Sequence, residues 1–448
     1  MEFIHIYHTN DLHSHLKRWP RIQHFLTSKR TQHEEAGEEF FLFDIGDFID
    51  RWHPLSEATQ GQGNIELLND AGYTAVTIGN NEGINFPYEG LNHLYDNRDF
   101  DVSVANLYTD KSQHPSWLKP YYIYQTKRGT RIGVIGLTAY FSHLYDLLGW
   151  KLTDPIEELK KWMGPLKEEA DIIILLSHLG LNHDERIAVD YPEIDVILGG
   201  HTHHTLPEGK QIGRTLIAGA GKHGRFVGQV TLQVDDRKSI RQQAKLYNVM
   251  ELPAVKDEKA IAKEFYRKGK KLLNQKITTL TNEFSHNPFQ VTELSQILCR
   301  ALKEWCDADC AFINGGLILG QLSGTVTAYD LLTICPHPIN PCKIQLSGAE
   351  LKEVLLETKD PNWPQRQIAG LGFRGTIMGI SVYDGITFND NNAIFINESE
   401  LNLDQSYTLA IPDMFTFGHF FKGVFPNKKK QYFLPEFLRD LLKWKLQA

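Results

Sequence analysis

An α/β chain of two domains is the fold class that the sequence predicts, on three observations. Short apolar runs alternate with amphipathic stretches as far as residue 248. A lysine-rich helical segment over 249–276 then interrupts the pattern. Beyond it, 277–448 turns to a mixture of helix, short strands and Gly/Asn/Asp turns. The 448 residues also exceed the ~100–200 typical of one domain.

Within the first domain, 1–248, Phe3–His8 opens the alternation as a strand and Pro20–Thr31 follows with helical period. Strands are expected at Phe40–Phe43, Ala75–Ile78, Val102–Ala105, Ile132–Leu137, Ile172–Ser177, Val196–Leu198 and Leu216–Ala218. Helices are expected between them at Gly63–Ala71, Pro87–Asn97 and Asp154–Glu169. The last carries its own start signal: Asp154 to cap, Pro155 at the first helical position, and Glu157 and Glu158 in the first turn. Phe226–Val234 and Ile240–Val249 read as a strand pair around the polar turn Asp235–Ser239. Pro253–Lys276, with Ile261, Phe265, Leu272 and Leu273 on one face, reads as a linking helix. In the C-terminal domain a helix is expected at Thr292–Trp305, turns at Asp384-Gly385 and Asn389–Asn392, and a closing helix at Leu434–Leu446.

Composition narrows the function. Apolar residues make up 42% and charged residues 23%, an ordinary globular balance. The net charge is −8 with no lysine-arginine cluster, which argues against a partner such as a nucleic-acid duplex. No apolar run approaches the roughly 18–20 residues that span a bilayer, so no membrane association is expected. MEFIHIYHTNDLH alternates from its third residue, unlike a secretory leader. Five cysteines, all between Cys299 and Cys342, are too few for a disulfide framework. Cys306 and Cys310 lack a second pair at zinc-finger spacing and read as buried thiols. A cytoplasmic location is the expectation.

The chemistry is written where apolar runs end. Asp11 and His13 follow the first strand, Asp47 follows the second through Gly46, and Asn80 follows Val76–Ile78 through Gly79. His178 follows Ile172–Leu176 after Ser177, and His201 and His203 follow Val196–Leu198 after Gly199-Gly200. Ligands of open α/β sheets bind beyond the carboxyl ends of strands, so these five loops are expected to converge. Oxygen and nitrogen ligands without cysteine suit two divalent metal ions such as manganese or zinc. Gly46, Gly79 and Gly200 permit tight turns beside the ligands. An isolated Asp-Leu-His or His-Thr-His is an ordinary loop; the ordered set of five is what carries the reading. His5, His8, His15, His204 and His223 are read as structural or surface residues.

TNDLH, GDFID, GNNE, SHLG and GGHTH resemble the five blocks of the calcineurin-like metallophosphoesterases. HTNDLHSH and AGYTAVTIGNNE, with the long second domain, resemble more narrowly the 5′-nucleotidase family. The resemblance implies a four-layer αββα sandwich followed by a 5′-nucleotidase-type α/β C-terminal domain. By motif, it places Asp11, His13 and His203 on one metal and Asn80, His178 and His201 on the other, with Asp47 bridging. It further implies hydrolysis of a phosphate ester or anhydride, on a nucleotide or similar small molecule, by a hydroxide shared between the metals. Asn10 and Thr202 are candidates to support the ligands from behind.

The sequence also departs from the family. Where the block is usually Gly-Asn-His-Glu with an aspartate three positions after the histidine, this chain has Asn81 and Ile84. Asparagine can donate a hydrogen bond to a phosphoryl oxygen but cannot act as a general acid. In the second domain Leu319 stands where the family's arginine belongs in Asn314-Gly-Gly-Leu-Ile-Leu319, and Gln290 falls where an earlier arginine would be. Substrate-binding candidates there are Asn314, Gly316, His337, Phe415 and Phe417, with Met414 near the position of one clamp aromatic. These departures keep two alternatives in view: a phosphodiesterase or diphosphate hydrolase on the same metals, and a low-turnover metal- and nucleotide-binding protein.

Overall fold

The structure is a computed structural model that describes residues 1–235, 239–418 and 420–448. The chain divides into two compact units, Met1–Gly269 and Lys270–Ala448.

Two six-stranded sheets build the first unit. One contains β1 (Glu2–Thr9), β2 (Glu39–Asp44), β3 (Ala75–Val76) and β4 (Asp101–Val102), all parallel. A two-stranded antiparallel sheet of β5 (Leu107–Thr109) and, later in the chain, β8 (Trp150–Leu152) stands apart. The second sheet contains β6 (Tyr121–Gln125), β7 (Arg131–Leu137), β9 (Ile172–Ser177), β10 (Val196–Gly199), β11 (Lys210–Ile212) and β12 (Thr215–Ala218). In it β7, β9, β10 and β12 run parallel, with β6 and β11 antiparallel at the edges. β13 (Phe226–Val234) and β14 (Ile240–Asn248) return antiparallel to the first sheet, giving the order β14-β13-β1-β2-β3-β4. The centre of the expected Asp235–Ser239 turn, residues 236–238, lies outside the described residues.

Strand alternation assembles the layers. Ile4 and Ile6 of β1 and Phe41 and Phe43 of β2 meet Ile172, Ile174 and Leu176 of β9 in the core between the sheets. The intervening Ile173 and Leu175 point the other way, onto Leu159, Met163 and Leu166 of helix Pro155–Glu169 and Ile187 of helix Leu181–Asp190. On the outer face of the first sheet, Tyr7 packs edge-on against Phe25 of helix Trp19–Glu35. Helices therefore cover both outer faces, which is the expected αββα order. Asp154 caps its helix as the sequence implies, accepting from the Ile156 and Glu157 N–H groups.

Ala75–Ile78 was expected as one strand, yet pairing stops at Val76. The chain leaves the ladder there and brings Gly79 against the turn at Asp47. The linking helix spans Glu258–Leu272, shorter than the lysine-rich stretch. Arg21 of helix Trp19–Glu35 holds its first turn through Glu258.

In the second unit a five-stranded sheet runs Ser381–Asp384, Cys310–Asn314, Ser406–Pro412, Pro341–Ser347, Lys430–Tyr432. Helix Glu293–Cys306 buries Leu294, Leu298, Ala301 and Leu302 in its core, and Thr292 caps it. The closing helix is Leu438–Gln447. All five cysteines are free and buried in this unit, and burial pushes the Cys306 thiol up to about 12.

Candidate active site

Backbone geometry at the carboxyl ends of β1, β2, β3, β9 and β10 decides where the seven candidate ligands point. Asp11, His13, Asp47, His201 and His203 all take left-handed conformations, with φ of 51°, 49°, 52°, 69° and 59°. Each such residue costs about 1–3 kcal/mol and persists only where its surroundings fix it. The fixing bonds are visible. The N–H groups of Asp11, His13 and Ser14 donate to the carbonyls of Gly46, Asp47 and Phe48 at 3.0, 2.8 and 3.0 Å, locking the first two ligand turns side by side.

Glu82 does the same from beneath. Its buried carboxylate accepts from the N–H groups of Asp47 and Gly79 at 2.9 Å each and of Ile49 at 2.8 Å. Gly79 is required by contact: a Cβ there would overlap the nitrogen and carboxylate of Asp47. Gly46 would in turn collide with the backbone of Gly79.

The side chains converge as two groups that share Asp11 and Asp47. Asp11 Oδ1 lies 3.4 Å from His203 Nε2 and 3.9 Å from His13 Nε2, and the two imidazole nitrogens are 3.3 Å apart. Asp47 Oδ2 lies between groups, 3.7 Å from His13 Nε2 and 3.5 Å from His178 Nε2. Its other oxygen accepts from the Asn81 N–H at 2.8 Å. Asn80 Oδ1 and His201 Nδ1 meet at 2.9 Å, and the His201 and His178 rings are 5.3 Å apart. Ligand atoms of Asp11, His13 and His203, and likewise of Asp11, Asp47 and His178, all fall within 4.8 Å of one another.

Donor chemistry fits a cation here. His178 Nδ1 donates to the carbonyl of Ile45 at 2.6 Å, which leaves Nε2 as a lone pair. That atom is fully buried, has no hydrogen-bond partner among the described residues, and faces Asp47. A buried acceptor aimed at a buried carboxylate is stable only with something positive between them. Without an ion a proton takes that place. Burial opposes the charged form, but Asp47 and Asp11 outweigh it and hold His178 up to about 10. Against its own burial, Asp47 is held below the usual carboxylate range by His178 and His13. Burial and the neighbouring imidazolium lower His201 to about 4, so its imidazole is neutral and could offer a lone pair to an ion.

The surrounding residues sort themselves by contact. Asn10 donates to Asp11 Oδ2 and to the Gly221 carbonyl, both at 2.6 Å, so it positions the ligand. Thr202 instead accepts from the Leu181 N–H and meets His204, a loop role. Asn81 requires a correction. Its side chain is buried, with the amide nitrogen 3.0 Å from His13 Nδ1 and donating to the Ile49 carbonyl at 3.2 Å. It addresses the back of a ligand rather than a phosphoryl oxygen. Asp50, which the sequence reading passed over, lies 3.6 Å from the same His13 nitrogen. Asp50 and Glu82 both belong to quoted blocks, so the signal was present without an assigned role. His8 is fully buried with its ring against Gly228, a packing residue.

Four of the five second-unit candidates are committed to the protein interior. His337 is fully buried; Nε2 donates to the Leu317 carbonyl at 2.9 Å, Nδ1 accepts from the Arg374 N–H at 2.9 Å, and the ring stacks on Phe373. Phe415 sits in an aromatic cluster with Phe312, Trp363 and Phe421. Neither offers a face to a ligand. A Cβ on Gly316 would overlap the carbonyl of Ile377, so its part is close packing. Asn314 donates to the Met378 carbonyl at 3.0 Å and is buried. Phe417 and Leu319 are exposed, and Met414 is fully buried.

Comparison with known proteins agrees with this geometry. Residues 4–205 match the family described as calcineurin-like phosphoesterase, and residues 275–420 match the 5′-nucleotidase C-terminal domain. An uncharacterized metallophosphoesterase of Bacillus subtilis (strain 168), YunD, is 42% identical over 99% of this chain and 99% of its own. Among solved structures, a Staphylococcus aureus protein provisionally assigned as a 5′-nucleotidase, in complex with α-ketoglutarate, superposes with a TM-score of 0.72. It is 19% identical, over 99% of this chain and 96% of the other. An NAD nucleotidase of Haemophilus influenzae gives 0.66 at 17% identity, over 99% and 96%.

Proposed function

The chain belongs to the metallophosphoesterases that join a calcineurin-like phosphoesterase domain to a 5′-nucleotidase C-terminal domain, and from that premise we propose that it cleaves phosphoanhydrides, or esters with acidic leaving groups, in nucleotide-like substrates. Metal-dependent phosphoester hydrolysis is the activity of this family, and the chain carries the residues for a binuclear divalent centre. The observation that carries the reading is the placement of Asp47 Oδ2 between His13 and His178 Nε2.

Asp11, His13 and His203 would hold one ion, Asn80, His178 and His201 the other, with Asp47 shared. Manganese or zinc suits this nitrogen and oxygen set. Two such ions supply Lewis acidity to a phosphoryl group and bring the pKa of water near neutrality. The chain's own part is orientation. Asn10 and the His201 N–H fix Asp11, the Asn81 N–H fixes Asp47, and the Ile45 carbonyl turns His178 Nε2 inward.

No imidazole stands at position 81 to protonate a leaving oxygen. General-acid help contributes ~10²–10⁴-fold, roughly 3–5 kcal/mol, and matters most for basic alkoxides. A ribose 5′-oxygen is such a group; a phosphate is not. This favours anhydrides over simple nucleoside monophosphates. Nucleotide recognition is supported by the named activities of the relatives, while the buried His337 and Phe415 give base recognition little support from these positions. A cytoplasmic location is part of the reading, and the five reduced, buried thiols are consistent with it. The test is phosphate release from nucleoside mono- and diphosphates and bis(p-nitrophenyl) phosphate, with manganese or zinc added. Faster diphosphates support the reading, and faster monophosphates or diesters refute it.

A further inference from the structure

Another group of metal-ligating side chains stands away from the active site, on the outer face of the first sheet. His5 of β1, His33 in the last turn of helix Trp19–Glu35 and Glu38 just ahead of β2 bring one ligand atom each within 4.8 Å of the others. His5 Nε2 and His33 Nδ1 face the same oxygen, Glu38 Oε2, at 3.0 and 2.8 Å. The two rings stack, with centroids 3.7 Å apart and planes 18° apart. Both are buried, whereas the Glu38 side chain is 30% exposed. His5 precedes Asp11 by most of an extended strand, so the active site is about 15–20 Å away. The far nitrogens are held as well. Tyr247 donates its proton to Gln229 Oε1 at 2.7 Å, so the hydroxyl of Tyr7 is the donor in its hydrogen bond to Tyr247. The Tyr7 oxygen is left to accept from His33 Nε2 at 3.1 Å, which makes Nδ1 the lone-pair nitrogen that faces Glu38. A lone pair 2.8 Å from a carboxylate oxygen needs something positive between them. Protons on both rings would repel across the 3.7 Å stack. Burial and His33 hold His5 below its ordinary range, and the His33 hydrogen bond keeps Glu38 ionised below its own. One divalent ion serves both rings and the carboxylate at once.

We propose that His5, His33 and Glu38 form a zinc site that fastens β1, helix Trp19–Glu35 and the turn before β2 to one another. Two imidazoles and a carboxylate are a set that zinc takes, with water at an open fourth position. That position lies on the solvent side, beside Glu38. Ligand atoms ~2.0–2.1 Å from a tetrahedral zinc stand about 3.3 Å apart, so the observed 2.8 and 3.0 Å open by only a few tenths of an ångström as the stacked rings splay. Gln229 Nε2 lies 3.1 Å from His5 Nδ1. Reversal of that amide lets its carbonyl accept from Nδ1–H, so His5 changes tautomer and Nε2 is free for the ion. Tyr247, half-buried, then donates to water.

The test compares the zinc and manganese content of the full-length protein after equilibrium dialysis with that of the variants Glu38→Gln and His33→Gln. Manganese stands lowest in divalent affinity for such ligands, so it should occupy the active-site residues alone. Zinc should exceed manganese by one ion per chain in the unmodified protein. Both variants should lose that extra ion and keep the others, since even an outer hydrogen-bonding partner of a ligand is worth ~10–100-fold in affinity. The ions retained show that each variant is folded, and Glu38→Gln, at a half-exposed residue of a turn, is the milder change. Equal zinc in the unmodified protein and Glu38→Gln would overturn the site, as would equal zinc and manganese counts. If the protein released no phosphate from any substrate, the functional reading would fail, and the one-ion difference would still decide the zinc site.

Discussion

Replacing Glu82 by Gln removes one charge and one acceptor from under the site, and the structure sets the size of the effect. The carboxylate serves three N–H donors at 2.8–2.9 Å. Glutamine can keep its carbonyl oxygen on the Asp47 and Gly79 N–H groups, but its NH2 then faces the Ile49 N–H. A lost hydrogen bond to a charged group costs ~1.5–3 kcal/mol and a stranded buried donor ~1–3 kcal/mol. Opposing this, burial and the charge of Asp47 raise the Glu82 carboxyl to about 7, so the ionised form already carries a penalty that glutamine avoids. The net expectation is a loss of about 2 kcal/mol, which for a domain of this size lowers Tm by roughly 4–8 °C. A chain of two units can unfold in more than one step, so the relevant transition is the one that added manganese raises. Metal affinity should fall with it, since the strained Asp47 turn loses an anchor. An unchanged metal-sensitive transition together with unchanged affinity would refute the account of how Asp47 is held.

Gly79→Ala should cut metal affinity and phosphatase activity by tenfold or more, because its methyl group occupies the space of the Asp47 carboxylate; retention of both in metal titrations would contradict this. In metal-free protein the folded-state pKa of His178, about 10, lies above its ordinary value of 6.5, so its stabilising contribution is full below pH 6.5 and is lost as pH rises toward 10. Thermal melts of chelator-treated protein should therefore fall across that window, while manganese affinity rises with pH as the ion displaces the proton; flat profiles would remove the proton from the site. Rates across aryl phosphates of graded leaving-group pKa should drop steeply as that pKa rises, because the chain places no general acid at Asn81. A flat series would show that some other group protonates the leaving oxygen.

The candidate ligand set was legible because each member stands within a few residues of the end of an apolar run, and strand ends are fixed by hydrophobic alternation. β9 shows this: Ile172–Ser177 is bounded by its own burial, and His178 is simply the next residue. Support for the ligands was not legible in the same way. Glu82 and Asp50 act on backbone N–H groups and a ring nitrogen brought close only by folding. Edge strands such as Lys210–Ile212 carry too little burial to show a period, which is why they were missed. In the second unit motif position misled. His337 falls at a clamp position by alignment, yet the Leu317 carbonyl and the Arg374 N–H consume both ring nitrogens, and no sequence pattern announces either bond.

Whether Asp47 joins two ions is the most direct question to put to the molecule. Metal content and calorimetric titration of the full chain with manganese should give two ions for the unmodified protein. Asp47→Ala should lose the shared carboxylate between His13 and His178 and, with it, at least one ion and the tightness of the other. Two tightly bound ions surviving in Asp47→Ala would contradict the binuclear assignment.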